Sequence, residues 1–295
     1  MTPTSPKPAS LQSLKGVRIF SLALNLPGPA ALMRCRSMGA SCTKLEPPGG
    51  DPMVHYSPEA YADLHRGVDV IRADLKTPAG QSALHDTLGQ SDVLLTSFRP
   101  SALVKLGLTW PALQRRYPAL SMVMIVGSSG EGAEIPGHDL TYMAANDLVT
   151  GLDLPATLYA DMAGSLMASE AVLQAVMHQR SSGVGALVEV ALADAASYLA
   201  LARVWGLTQP GATIGGGHAG YAVYACKDGR VAVAALEPRF AAALSAVAGI
   251  QGSSTDAMTS PQGHALVAAF FKQRTRREID ALAADQDLPL HTLAA

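Results

Sequence analysis

Leu120–Val126 reads LSMVMIV and Asp92–Ser97 reads DVLLTS, and these two runs decide the fold class. Each is short and almost continuously apolar, so each predicts a strand buried on both faces, as strands are in a parallel sheet with helices on either side. Working outward, the chain alternates. Upstream, Val17–Ala23 predicts a strand, Gly28–Met38 a helix and Ser41–Leu45 a second strand; Gln81–Leu88 is helical ahead of DVLLTS, and two short helices over Ser101–Tyr117 separate the two runs. Downstream come a helix from Asp161 to Gln179, a strand at Leu187–Val190 and a helix over Asp194–Leu207. Strands alternating with helices in this order predict an α/β unit. Gly127–Pro136 (GSSGEGAEIP) leaves the end of LSMVMIV as a loop, and open α/β sheets bind ligands at such loops.

The pattern changes at Gln209–Gly220, where QPGATIGGGHAG holds five glycines in twelve residues and predicts a linker or binding loop. Beyond it, Tyr221–Cys226 and Arg230–Leu236 flank Lys227-Asp228-Gly229 as a hairpin, and Pro238–Val247, His264–Gln273 and Arg276–Ala284 predict helices. The expected organisation is a disordered tail over residues 1–13, a large domain over 14–208, a glycine-rich linker over 209–220 and a small α+β domain over 221–295.

A chain of 295 residues that is 48% hydrophobic and 16% charged can bury a large core. With 22 Lys and Arg against 24 Asp and Glu it carries no basic excess, which argues against a nucleic-acid partner. Met1–Ser13 lacks the apolar core of a secretory signal, and no later run is apolar for long enough to span a bilayer, so no membrane partner and a cytoplasmic location are expected. Cys35, Cys42 and Cys226 show no CxxC spacing, which argues against a disulfide framework or a zinc site. No metal is expected, and the three thiols read as small core residues, Cys35 on a helix and the other two on strands.

Five strings, taken in order, carry a family resemblance: LKGVRIFSLALNLPGP (14–29), RSMGASCTKLEPPGGDP (36–52), RGVDVIRADLKTPAG (66–80), DVLLTSFRPSALVKLGL (92–108) and QRSSGVGALVEVALADAA (179–196). In that order they resemble the family III CoA-transferase superfamily, and within it most nearly the α-methylacyl-CoA racemases, from about Leu14 to about Pro289. The resemblance implies a Rossmann-like large domain, a small domain, and a homodimer of interlocked protomers. It implies an acyl-CoA substrate and no cofactor beyond that substrate's coenzyme A moiety. Full-length members carry a further C-terminal stretch returning to the large domain, and the resemblance implies that it is missing here.

The resemblance also assigns residues. Asp161, in YADMAGSLMA, matches the catalytic aspartate, which attacks the thioester in the transferases and moves an α-proton in the racemases. An Asp just before a helix is also a good N-cap. His138, in IPGHDLTYMA, matches the second acid/base group of the racemases, a task that suits imidazole because it titrates near neutrality; a loop histidine can equally be a surface or capping group. Glu237, in VAALEPRFAAAL, matches the glutamate that orients that histidine, and is otherwise an acidic residue in a first helical turn. Lys44, Arg66 and Arg99 match positions at the nucleotide end of CoA, where His65 replaces a common Asn and Val68 or Asp69 a common basic residue. Asp139 and Tyr142 match the CoA channel. Gly215, Gly216 and Gly217 resemble the glycine loop that closes over the acyl group, whereas GSSGEGAEIP is shorter than the family's string before the histidine. The first functional expectation is racemisation of 2-methylacyl-CoA thioesters through an enolate. The alternatives are CoA transfer between carboxylic acids through an intermediate on Asp161, and a truncated, inactive CoA-binding protein.

Overall fold

The computed structural model describes residues 11–251 and 255–295, so the tail expected over 1–13 lies outside the described residues up to position 10. The chain falls into two compact units, one ending at Ala200 and the other running from Leu201.

The first unit carries β1 (Arg18–Ser21), α1 (Pro27–Ser37), β2 (Ser41–Glu46), α2 (Met53–Tyr56), α3 (Pro58–Leu64), β3 (Asp69–Arg72), α4 (Pro78–Leu88) and β4 (Val93–Thr96). It continues with α5 (Pro100–Lys105), α6 (Trp110–Arg116), β5 (Ser121–Val126), α7 (Asp139–Ala145), α8 (Tyr159–Ser182), β6 (Leu187–Ala191) and α9 (Leu192–Leu199). The six strands form one parallel sheet in the order β3-β2-β1-β4-β5-β6. That is the doubly wound, Rossmann-type order, and the strand order reverses between β1 and β4. Every residue of β4 and β5 is buried. Val93, Leu95, Val123 and Ile125 enter one apolar cluster with Leu32, Val172 and Val176, while Leu94, Met122, Met124 and Val126 enter the other with Leu84 and Leu113. Successive residues of a strand point to opposite faces, so two covered faces require the uninterrupted apolar runs read from the sequence.

Local signals set the helix limits. Proline at the first helical turn opens α1, α3, α4, α5 and α6, where its missing N–H costs nothing. Ser57 and Thr77 accept from the Ala60 and Gly80 N–H groups and cap α3 and α4. Gly183, with φ of 77°, ends α8 in the left-handed conformation that favours glycine.

The second unit holds α10 (Leu201–Val204), β7 (Tyr221–Cys226), β8 (Gly229–Ala234), α11 (Pro238–Ala248), α12 (Thr255–Thr259), α13 (Pro261–Lys272), α14 (Arg276–Asp285) and β9 (Leu290–Ala294). Its strands form an antiparallel sheet, β7-β8-β9, over a core that includes Tyr224, Val231, Leu244, Val267, Phe271 and Ile279. The helix expected over Asp194–Leu207 is two helices, broken at Ala200 where the first unit ends. The glycine-rich stretch at 209–220 is packed into the second unit: Ala219 is buried and its N–H donates to the Met258 carbonyl at 2.8 Å. Among the described residues no helix is long and apolar enough to cross a membrane.

Cys35 on α1 and Cys42 on β2 are buried, and burial pushes both thiols up to about 12. Only the thiolate reacts with disulfide reagents, so the native protein is expected to release one fast equivalent of thionitrobenzoate, from Cys226, and the other two only on unfolding. Two or three fast equivalents would show that the α1–β2 layer opens.

Candidate active site

A cavity of about 480 Å³ opens at the carboxyl ends of β1, β4 and β5, the switch point of the sheet. Leu24 and Asn25 reach it from the loop after β1, Ser97, Phe98 and Arg99 from the loop after β4, and Gly127 from the end of β5. His138, Asp139 and Tyr142 line it from the head of α7, and Leu158 and Asp161 from the start of α8. Of the residues expected from the sequence, His138, Asp161, Asp139, Tyr142 and Arg99 therefore share one cavity.

Tyr142 is a wall that its neighbours are shaped to admit. A Cβ on Gly127 would stand 2.2 Å from the phenol oxygen, and one on Gly137 would stand 2.5 Å from it, so neither position accepts a side chain while the ring stays. Burial raises the phenol's pKa, the nearby Asp161 adds to the rise, and Arg99 opposes it.

Asp161 lies in the first turn of α8, not before it, which corrects the N-cap expectation. The residue preceding the helix is Leu158, whose apolar side chain cannot accept a hydrogen bond. The Asp161 N–H is instead taken by Asp139, whose Oδ1 accepts it at 3.0 Å. The Asp161 carboxyl is pushed up from 3.8 to about 6, first by burial and then by the like charge of Asp139, against the pull of His138. His138 stands at the N-cap of α7, exposed. Its backbone N–H donates to the Thr141 hydroxyl at 3.1 Å, and that hydroxyl donates to the His138 carbonyl at 2.7 Å. Backbone groups thus hold the histidine in place and leave the imidazole outside the capping bonds.

Lys44 is placed differently from the expectation. It is wholly buried on β2, and its ammonium donates to Asp51, to Nε2 of His65 at 2.8 Å and to Oε1 of Glu46 at 3.2 Å. His65 donates from Nδ1 to the Tyr61 carbonyl at 2.7 Å, which leaves Nε2 free to accept. An ammonium has three protons, and all three are committed inside the fold, so none is available for a phosphate. Glu46, Asp51 and His65 are spaced as ligands for a cation, and the Lys44 ammonium is that cation. Arg66 is exposed and paired with Asp63. Arg99 is exposed beside the cavity.

The remaining expected residues belong to the second unit. Glu237 precedes α11, which Pro238 opens, and its side chain makes no capping bond. Gly215 and Gly216 line a cavity of about 600 Å³ with Ile214, Tyr221, Val223 and His291. These glycines answer to their own loop: a Cβ on Gly215 would stand 1.9 Å from the Gln209 carbonyl oxygen, and one on Gly217 would stand 2.2 Å from that of Gly211.

Sequence reasoning missed Asn25 and Asp51. Asn25 lines the first cavity with φ of 65°, a conformation for which Asn is better suited than most side chains, and the NLPGP string was the available signal. The Asp51 carboxylate accepts the N–H groups of Asn25 at 3.1 Å and Met53 at 2.9 Å, both cavity residues, as well as the Lys44 ammonium.

Residues 14–294 match the model of CoA-transferase family III. The chain belongs to that family. It is 28% identical to the human alpha-methylacyl-CoA racemase over 246 residues, 77% of this chain and 63% of that one. It is 29% identical to the cinnamoyl-CoA:phenyllactate CoA-transferase of Clostridium sporogenes over 209 residues, 62% of this chain and 50% of that one. The matched regions thus span between half and two thirds of the length of these relatives. Among solved structures, a CaiB/BaiF family protein from Brucella suis superposes with a TM-score of 0.81 at 23% identity, covering 96% of this chain and 84% of that one. A hypothetical protein from Mycobacterium tuberculosis superposes with a TM-score of 0.82 at 23% identity over the same shares. That likeness concerns the fold.

Proposed function

We propose that this protein racemises 2-methylacyl-CoA thioesters by moving the proton at the carbon next to the thioester carbonyl. One of His138 and Asp161 takes the α-proton, and the C–H electron pair passes into the thioester as an enolate. The other group then returns a proton to the opposite face, the enolate's pair re-forms the C–H bond, and either hand of product results. The observation that carries this reading is the placing of His138 and Asp161 on one cavity, with burial pushing the Asp161 carboxyl up to about 6. A group that must both take and return a proton works best with a pKa near the working pH. The transferase reading asks the same carboxyl to be a nucleophile, and a carboxyl raised to about 6 is still mostly ionised at neutral pH. The pKa therefore suits either role, and it is the histidine on the same cavity that favours proton transfer. The relatives include enzymes of both kinds. The test is deuterium entry at the α-carbon of an acyl-CoA in deuterated water, followed by NMR; a stable acyl or CoA adduct on Asp161 without exchange would establish transfer instead.

Coenzyme A enters only as part of the substrate, and Arg99 is the residue proposed to meet its phosphates. A contact made equally in ground and transition states lowers affinity when it is lost and leaves turnover alone. Arg99→Ala is therefore expected to weaken CoA binding roughly 10- to 100-fold, the range for a lost charge-assisted hydrogen bond, with turnover at saturating substrate unchanged. Isothermal titration with CoA and steady-state kinetics check both halves, and a large fall in turnover at unchanged affinity would remove Arg99 from that role. The large domain is proposed as the CoA-binding part. A homodimer in the cytoplasm is the proposed working form, supported in the first unit by a stripe of exposed apolar residues along α8: Met162, Leu166 and Met177. Glu237 is proposed to orient His138 on the family resemblance.

A further inference from the structure

Helix α8 begins without a cap of its own. The first N–H groups of any helix lack partners within it, and Leu158 has no side-chain acceptor to offer them. Asp139, twenty-two residues earlier in the chain and nearly wholly buried, supplies the acceptor from the head of a different helix. The residue whose N–H it takes is Asp161. We propose that Asp139 is a positioning residue for Asp161: it caps the first turn of α8 through the Asp161 peptide and so holds a second carboxylate beside the first on the cavity wall.

Two effects follow from one contact. The hydrogen bond fixes where the Asp161 backbone, and with it the side chain, stands against the cavity. The charge disfavours ionisation of Asp161, because two carboxylates at close quarters repel. The other groups facing this carboxyl are His138 at the cap of α7, which opposes the effect, and Tyr142 one turn along, which Arg99 faces in turn. Burial contributes more than Asp139 to the raised pKa of Asp161, so removing the Asp139 charge lowers that pKa without returning it to 3.8. The family resemblance matches Asp139 to the CoA channel, and the hydrogen bond to the Asp161 peptide gives it this different task.

The two effects separate by substitution. Asp139→Asn keeps an oxygen acceptor of the same shape and removes the charge; Asp139→Ala removes both. In protein carrying ¹³C-carboxyl aspartate, the Asp161 resonance is identified by its loss in Asp161→Asn and followed through a pH titration. The expected result is a midpoint near 6 in the wild type and a lower one in Asp139→Asn, still above 3.8. Hydrogen exchange of the Asp161 amide is expected to be slow in the wild type and in Asp139→Asn and faster in Asp139→Ala, a rescue that charge loss alone cannot give. An unmoved midpoint in Asp139→Asn, or an Asp161 amide as protected in Asp139→Ala as in the wild type, overturns the proposal. Should Asp139→Ala not fold, the titration of Asp139→Asn still decides it.

The bearing on turnover rests on reading Asp161 as a proton-transfer group. On that reading the acid limb of kcat/KM moves to lower pH in Asp139→Asn, because the base form persists further into acid. The titration and amide exchange need no substrate. A shifted midpoint in a protein that exchanges no α-proton would therefore leave the positioning role standing and remove the racemase reading.

Discussion

His138→Ala and Asp161→Ala are each expected to lower racemisation of a 2-methylacyl-CoA by roughly 10²- to 10⁴-fold, the usual worth of a positioned acid or base. Both directions fail together, since each turnover needs one group to remove the proton and the other to return it. The two variants are expected to differ in partial exchange. If one group serves each face of the α-carbon, His138→Ala retains deuterium incorporation into one stereoisomer and Asp161→Ala into the other. Separate incubation of (2R)- and (2S)-methylacyl-CoA in deuterated water measures this. If Glu237 acts on His138 as proposed, Glu237→Ala weakens the His138 half more than the Asp161 half, since Asp161 keeps the Asp139 contact to its peptide. The outcome that ends this reading is His138→Ala indistinguishable from the wild type, Asp161→Ala inactive, and an acyl adduct on Asp161 in the wild type.

Where the sequence is legible, a repeated local pattern maps directly onto burial. LSMVMIV and DVLLTS are strands because a sheet covered on both faces buries every residue along them, and all ten residues of β4 and β5 are buried. The hairpin at Lys227-Asp228-Gly229 and the helices opening at Pro238 and Arg276 were readable for the same reason: turn and cap residues act over a few positions. Elements whose partners lie far off escaped. β3 is an exposed edge strand with no apolar run, and β9 is five residues that become a strand only by pairing with β8. α7 is seven residues following a loop of turn formers. The start of α8 was misplaced because its cap is Asp139, close in space and distant in sequence.

The candidate site divides along the same line. His138, Asp139, Tyr142, Arg99 and Asp161 could be named from strings that resemble a family and follow strand ends, and the fold brings them to one cavity. What tunes them could not be named. The raised pKa of Asp161 depends on burial and on a second carboxylate 22 residues away, neither of which a string displays. Lys44 is the sharper case, since a lysine in a strand reads as a surface charge. β2 lies between β3 and β1, however, and its partners Asp51 and His65 come from outside the strand.

That arrangement makes Lys44→Met the substitution with the largest expected effect on stability. Methionine nearly matches the volume of the lysine stem, so the loss is of charge and hydrogen bonds and not of packing. Glu46 and Asp51 would be left as buried carboxylates without the Lys44 ammonium, and His65 would lose the donor to its Nε2. Removing one partner of a buried ion pair costs about 3–5 kcal/mol, because the charge left behind is out of water. Here Asp51 loses the cation it pairs with, while Glu46 keeps the more distant Arg72 and the Tyr61 hydroxyl. The expected result is a fall of that size in the denaturant unfolding free energy, read from the midpoint at unchanged slope. CoA affinity per folded molecule is expected to change little, except through the Asn25 and Met53 peptides that Asp51 holds at the cavity. Replacing the set together, as Lys44→Met with Glu46→Gln and Asp51→Asn, removes the stranded charges and is expected to recover a large part of the stability. A Lys44→Met protein as stable as the wild type but with CoA binding weakened tenfold or more would return Lys44 to the nucleotide site and dissolve the buried network as its explanation.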